Sequence, residues 1–175
     1  MKKRKLCFYP IWNYEKLESF LCEMESNGYR VERRKLLYFF DFKKVVPKKT
    51  DYFLTFTHLG DSITMYPLEM ELKRRYNASL SIDSSFEAPA IYRVCNLNAP
   101  TSHGLLNLRK ERNKILERIC IKDAALSFYT FVIFMLVFAI FGNLREFLIS
   151  LFFTVPFFLT FLYKFTGAML LRKKH

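Results

Sequence analysis

Apolar and polar positions divide this chain near residue 123. Ala124 to Phe141 runs without a charge, and so does Phe147 to Tyr163; only Gly142-Asn143-Leu144-Arg145-Glu146 separates them. At about 1.5 Å rise per residue, a helix of about 18 residues reaches roughly 27 Å, close to the hydrocarbon thickness of a bilayer. The pattern predicts a transmembrane helical hairpin over 124–171, with spans at about 124–141 and 147–168. Pro156 lies mid-span and removes one backbone donor, so a kink is expected there.

The polar part reads differently. Leu6 to Ile11 reads as a short strand. Residues 12–28 carry the clearest helix: Leu17, Phe20, Leu21 and Met24 recur at helical spacing and make one apolar face. Asn13 is an N-cap residue type, Trp12 and Leu17 suit a hydrophobic staple, and Gly28 suits a left-handed stop. Glu15 and Glu18 sit near the positive end of the helix dipole. Tyr29 to Phe42 reads as one strand, with Leu36, Tyr38, Phe40 and Phe42 able to share a face. Lys43 to Asp51 is a basic turn, and Tyr52 to His58 a further strand expected to pair with the preceding one. Pro67 suits a first helical turn, with Leu68, Leu72 and Tyr76 as its stripe. Ser79 to Ile82 and Ala90 to Cys95 are two more short strands.

The expected fold class is α+β. A small ferredoxin-like (βαββαβ-type) cytosolic domain over 1–98 is followed by a linker and basic juxtamembrane helix over 99–123, then the hairpin and a basic tail over 172–175. In the juxtamembrane helix Leu105, Leu108, Ile115 and Ile119 lie near one face, and the helix should run on into the first span.

The formal net charge of +12 suits an anionic partner. The lipid bilayer is the nearest candidate. Nucleic acid is disfavoured because the basic residues are spread along the domain rather than gathered in one stripe. Arg109, Lys110, Arg112, Lys114, Arg118 and Lys122 precede the first span and are the expected membrane-surface residues. With Lys164, Arg172, Lys173 and Lys174 they place both termini in the cytoplasm and the short loop outside. The N-terminal Lys2-Lys3-Arg4-Lys5 precedes an apolar stretch too short for a signal peptide core.

Chemistry is sparse. Cys7, Cys22, Cys95 and Cys120 form no C-x-x-C pair, which suits free thiols in a reducing compartment. His58, His103 and His175 are far apart and offer no metal set. No phosphate loop is present among five glycines. Glu15 and Glu18 lie side by side at i, i+3, but their place in a first helical turn already explains them. The Asn77-Ala78-Ser79 sequon is inert in a cytosolic setting. The aromatic content (20 Phe, 10 Tyr) belongs to the spans and to the core of a small domain; no glycine-aromatic motif of an RNA platform accompanies it. No enzyme, no cofactor and no metal are expected.

At Trp12-Asn13-Tyr14-Glu15-Lys16-Leu17-Glu18, then Phe20-Leu21, Met24 and Gly28-Tyr29, the chain resembles the family catalogued as domain of unknown function 2812. Tyr38-Phe39-Phe40-Asp41-Phe42 and Tyr52-Phe53-Leu54 stand where that family has its aromatic strand pair. The resemblance covers about residues 5–57 and is looser through 60–105. There the family shows another helix ending in a Gly-aromatic pair, and this chain has Arg75-Tyr76-Asn77. The resemblance implies a bacterial cytoplasmic membrane protein, frequently encoded beside a PadR-type transcriptional repressor, with no known catalytic activity. The expected function is a regulatory or sensing protein whose cytosolic domain binds a protein partner, with Trp12, Asn13, Tyr14, Glu15, Lys16 and Glu18 as candidate contacts. The alternative is an accessory or immunity-type subunit of a membrane assembly. It would act through its hairpin, with Ser127, Thr130, Ser150, Thr154 and Thr160 packing on other helices. An enzyme acting on lipid-soluble substrates ranks last, and oligomerisation is left open.

Overall fold

A computed structural model of the chain describes residues 2–7, 9–35, 38–55, 62–83, 89–94, 99–141 and 144–174. It divides into two units, Met1–Arg112 and Asn113–His175. The first is built from one motif used twice. β1 (Lys2–Leu6), α1 (Tyr14–Ser26), β2 (Tyr29–Lys35) and β3 (Phe39–Lys44) form the first copy; β4 (Asp51–Thr55), α2 (Ser62–Tyr76), β5 (Ser79–Ile82) and β6 (Ala90–Val94) form the second. Each copy makes its own three-stranded antiparallel sheet with the same order, β1-β3-β2 and β4-β6-β5. The α+β class holds, but the strand order is not that of the expected ferredoxin-like sheet. Arg34 on β2 joins the two copies, donating to the carbonyls of Pro89 at 2.6 Å and Asp83 at 3.0 Å.

Three strand expectations are corrected. The stretch 29–42 is longer than a usual strand and is two strands, β2 and β3, folded back with Lys35 opposite Phe39. β4 therefore finds β3 already paired on both sides, by β1 and β2, and it pairs instead with β6, Asp51 opposite Val94 and Thr55 opposite Ala90. The first strand is also displaced toward the N-terminus: the Lys2-Lys3-Arg4-Lys5 run lies in β1. The amines of Lys3 and Lys5 lie 5.0 Å and 5.3 Å from the centres of the Tyr29 and Phe20 rings, so aromatic faces accept charges that an apolar strand would not offer.

α1 keeps its expected face. Leu17, Leu21 and Met24 are buried, and half-buried Phe20 meets the Phe42 ring edge-on at 6.1 Å. Asn13 occupies the N-cap without a side-chain capping bond; its N–H closes a 3-10 turn onto the Pro10 carbonyl at 2.8 Å. Gly28 ends the helix at φ +81°, and a Cβ there would lie 3.0 Å from the Val45 carbonyl oxygen. α2 buries Met65, Leu68, Leu72 and Tyr76. It begins at Ser62, so Pro67 lies inside the helix and not in its first turn. Asn77, at φ 48°, does for α2 what Gly28 does for α1, because Asn is the side chain that best tolerates the left-handed region.

α3 (Ala99–Phe141) is one helix, as expected from the run of the basic segment into the apolar one. Its first turns belong to the first unit, which extends past the expected boundary at 98. Leu105 and Leu108 are buried there, and a Cβ on Gly104 would clash with the Tyr76 hydroxyl.

The second unit holds the rest of α3 and α4 (Leu144–Arg172). Phe128 meets Phe161 at 5.1 Å, Phe131 meets Phe158 at 5.2 Å and Phe134 meets Phe157 at 5.9 Å, the pairing of an antiparallel hairpin. α4 continues through Pro156. Two helical stretches, Gly104–Val137 and Thr154–Arg172, are long and apolar enough to cross a membrane; only 17% and 22% of their apolar windows are buried, unlike the core helix of a soluble protein.

Candidate functional site

Glu18 and Glu25 lie two turns apart on α1, on the same stripe as Leu17, Leu21 and Met24, and both are buried. A carboxylate is rarely buried without partners, and each of these has several.

Glu18 sits at the open edge of β4, the outer strand of its sheet. The Leu54 N–H donates to Glu18 Oε1 at 2.9 Å. Arg112 Nη1 donates to that same oxygen and to the Leu54 carbonyl at 3.1 Å. Arg109 Nε donates to Glu18 Oε2 at 2.9 Å, and its Nη2 reaches the Tyr52 carbonyl at 3.4 Å. The Arg112 guanidinium also lies 4.9 Å over the Phe53 ring. Side chains of two helices thus take the backbone groups that β4 would otherwise offer to another strand. This is the physical reason that a ferredoxin-like sheet does not form: the edge it needs is occupied.

Glu25 lies over the face of the same sheet. Tyr52 and Arg93 are directly opposite each other on β4 and β6. The Tyr52 hydroxyl donates to Glu25 Oε2, and Arg93 donates from Nη2 to Oε1 at 2.6 Å and from Nε at 2.9 Å. Arg30, at the start of β2, adds a bond at 3.0 Å. Burial pushes the Glu25 carboxyl up, but the bonds from Arg93, Tyr52 and Arg30 outweigh it and hold the group below its ordinary value. Burial and the neighbouring Glu25 push the Tyr52 hydroxyl up. Cys22, on α1 between the two carboxylates, lies 3.9 Å from Asp51 Oδ1, and burial pushes its thiol up to about 11. It stays protonated near neutrality and is a poor nucleophile. On α2, Glu69 plays a lesser version of the same part, accepting from Thr55 Oγ1 at 2.8 Å.

Chemically this is a clasp. The two α1 carboxylates are ringed by donors, which suits holding elements together and leaves neither placed to shuttle a proton. Among the described residues no group of His, Cys, Asp and Glu is placed to hold a metal ion.

The structure separates the residues expected to act together. Of the candidate partner contacts, Tyr14 and Glu18 are buried, Trp12, Asn13 and Glu15 are half-buried and Lys16 is exposed. Glu18 is spent on internal ion pairs. Of the expected membrane-surface residues, Lys110, Lys114, Arg118 and Lys122 are exposed, whereas Arg112 is 0% exposed and Arg109 is turned onto Glu18. Those two are corrected to structural roles. Their signal was available: Leu105, Leu108, Arg109 and Arg112 share i, i+3, i+4, i+7 spacing, so the arginines lie in the buried stripe. His58 lies outside the described residues. In the second unit Lys164 Nζ donates to Asp123 Oδ2 at 3.0 Å, tying α3 to α4. Thr130 and Thr160 donate to the carbonyls of Leu126 and Pro156 at 2.9 Å and 2.8 Å, so those hydroxyls are satisfied within their own helices.

No protein-family model matches this chain, and no curated protein and no solved structure matches it.

Proposed function

We propose that this is a membrane-anchored regulatory or sensing protein without catalytic activity, whose α/β domain faces the cytoplasm and binds a protein partner. The observation that carries the reading is α3. One helix supplies Arg109 and Arg112 to the buried clasp of the domain and continues as the first of two helices apolar enough to span a bilayer. An element shared in this way gives the domain a covalent route to events in the membrane. The resemblance over residues 5–57 suggests a cytosolic regulator, a PadR-type repressor, as the partner. A second reading, an accessory or immunity-type subunit acting through the hairpin, is favoured by the amount of apolar surface that α3 and α4 leave exposed.

The test is in-cell crosslinking of the tagged full-length chain beside a chain whose residues 124–175 are replaced by an unrelated two-helix hairpin. A cytosolic protein captured by both supports the regulatory reading. A membrane protein captured only with the native hairpin moves the function to α3 and α4.

A further inference from the structure

The β1-β3-β2 sheet has two unlike faces. Val31, Phe40 and Phe42 are buried on one. On the other, the register sets Arg4, Asp41 and Arg33 in one row across the three strands and Leu6, Phe39 and Lys35 in the next, with Lys43 beyond. Asp41 is spent within this face, accepting from Arg4 Nε at 2.7 Å and Nη2 at 3.3 Å with Lys35 Nζ at 3.9 Å. Arg4, Arg33, Lys35 and Lys43 are exposed around it. At the end of the same strands Leu6 is 64% exposed beside exposed Phe39 and Tyr38.

Protection of a sheet edge explains the basic residues on the two outer strands, β1 and β2. It does not explain Lys43 on the central strand, or an aliphatic side chain in water at the end of a cationic face. Cations behind a small apolar tip are the chemistry of an anionic bilayer surface, where phosphates meet the charges and the headgroup layer takes the apolar atoms. A single-stranded nucleic acid would use the charges and the rings but has no place for Leu6.

We propose that this face is a docking surface for an anionic lipid bilayer, with Leu6 and Phe39 entering the headgroup layer and Arg4, Arg33, Lys35 and Lys43 meeting its phosphates. The inference stands on the sheet alone, independently of how α3 and α4 are read.

The test uses the full-length chain in phosphatidylcholine nanodiscs, mixed with vesicles of phosphatidylcholine alone or with added phosphatidylglycerol, and measures the fraction that sediments with the vesicles. Binding is expected only to the anionic vesicles and weakens with salt. R33E/K35E/K43E should lower the affinity at least roughly tenfold, since each cation near an anionic surface contributes on the order of fivefold. L6S should weaken binding while leaving its salt dependence unchanged. K48E/K49E/R74E, the same charge change placed at exposed positions elsewhere, should bind like the parent chain. The proposal is overturned if the parent chain ignores anionic vesicles, or if the sheet triple binds as the parent does. It is equally overturned if the control triple loses as much. Displacement from vesicles by an equal phosphate concentration of single-stranded oligonucleotide would assign the face to nucleic acid instead.

Discussion

Replacing Arg112 by Met tests the clasp at its most buried point. The guanidinium is fully buried and donates to both Glu18 Oε1 and the Leu54 carbonyl, while its flat face covers Phe53. Methionine fills much of the stem volume and restores some contact with the ring. It leaves Glu18 with Arg109 and the Leu54 N–H, and it uncovers one carbonyl on the β4 edge. Removing one partner of a buried ion pair costs about 3–5 kcal/mol, and the surviving Arg109 bond places this case at about 3. Amide hydrogen exchange of the full-length protein in nanodiscs reads this directly. Peptides covering 14–26 and 51–55 should exchange roughly a hundredfold faster, the factor that about 3 kcal/mol represents. Removing both charges with Glu18→Leu and Arg112→Met should cost less than the two single losses combined, because neither member of the Glu18–Arg112 pair is then left buried without the other. Unchanged exchange in those peptides for Arg112→Met, or strict additivity in the pair, would refute the clasp.

Other consequences follow from particular contacts. Because the Glu25 carboxyl is held below its ordinary value, it contributes stability that is fully present above about pH 4.5 and is lost as pH falls through the lowered value. Tyr52→Phe removes one donor, so the acid-unfolding midpoint followed by near-UV circular dichroism should move to higher pH. Gly104→Ala puts a methyl against the Tyr76 hydroxyl and should cost about 1–3 kcal/mol by the same exchange assay; adding Tyr76→Phe should recover part of it. Asn77→Gly should be neutral or slightly stabilising, whereas Asn77→Val should cost about 1–2 kcal/mol for a β-branched residue at positive φ, read as a shift in thermal midpoint.

What the chain discloses in advance is local. α1 and its Gly28 stop, the short strands at 79–82 and 90–94, and the passage of the basic helix into the apolar one all follow from spacing and end signals within a few residues. Strand pairing does not, because alternation in 52–58 says nothing about which edge is free to receive it. That was decided by the fold-back of 29–44 and by Glu18 and Arg112 covering the far edge of β4. The clasp itself stayed hidden because each member had an adequate local explanation: Glu18 near a helix N-terminus, and Arg109 and Arg112 within a basic segment flanking an apolar run. Only their shared spacing with Leu17 and Leu21, and with Leu105 and Leu108, marked them as inward-facing. Asn77 was likewise obscured, since no glycine marks the end of α2 although the left-handed stop is retained.

The proposed topology has α3 and α4 crossing a membrane with the α/β domain on its cytoplasmic side. The direct measurement is maleimide labelling of single cysteines, introduced at Lys16, Arg145 and Lys173 in a chain whose native cysteines are replaced by serine, in intact and in permeabilised cells. Labelling of position 145 from outside, with positions 16 and 173 labelled only after permeabilisation, is the predicted result. Protection of 145 in intact cells, or labelling of 16 from outside, would contradict it.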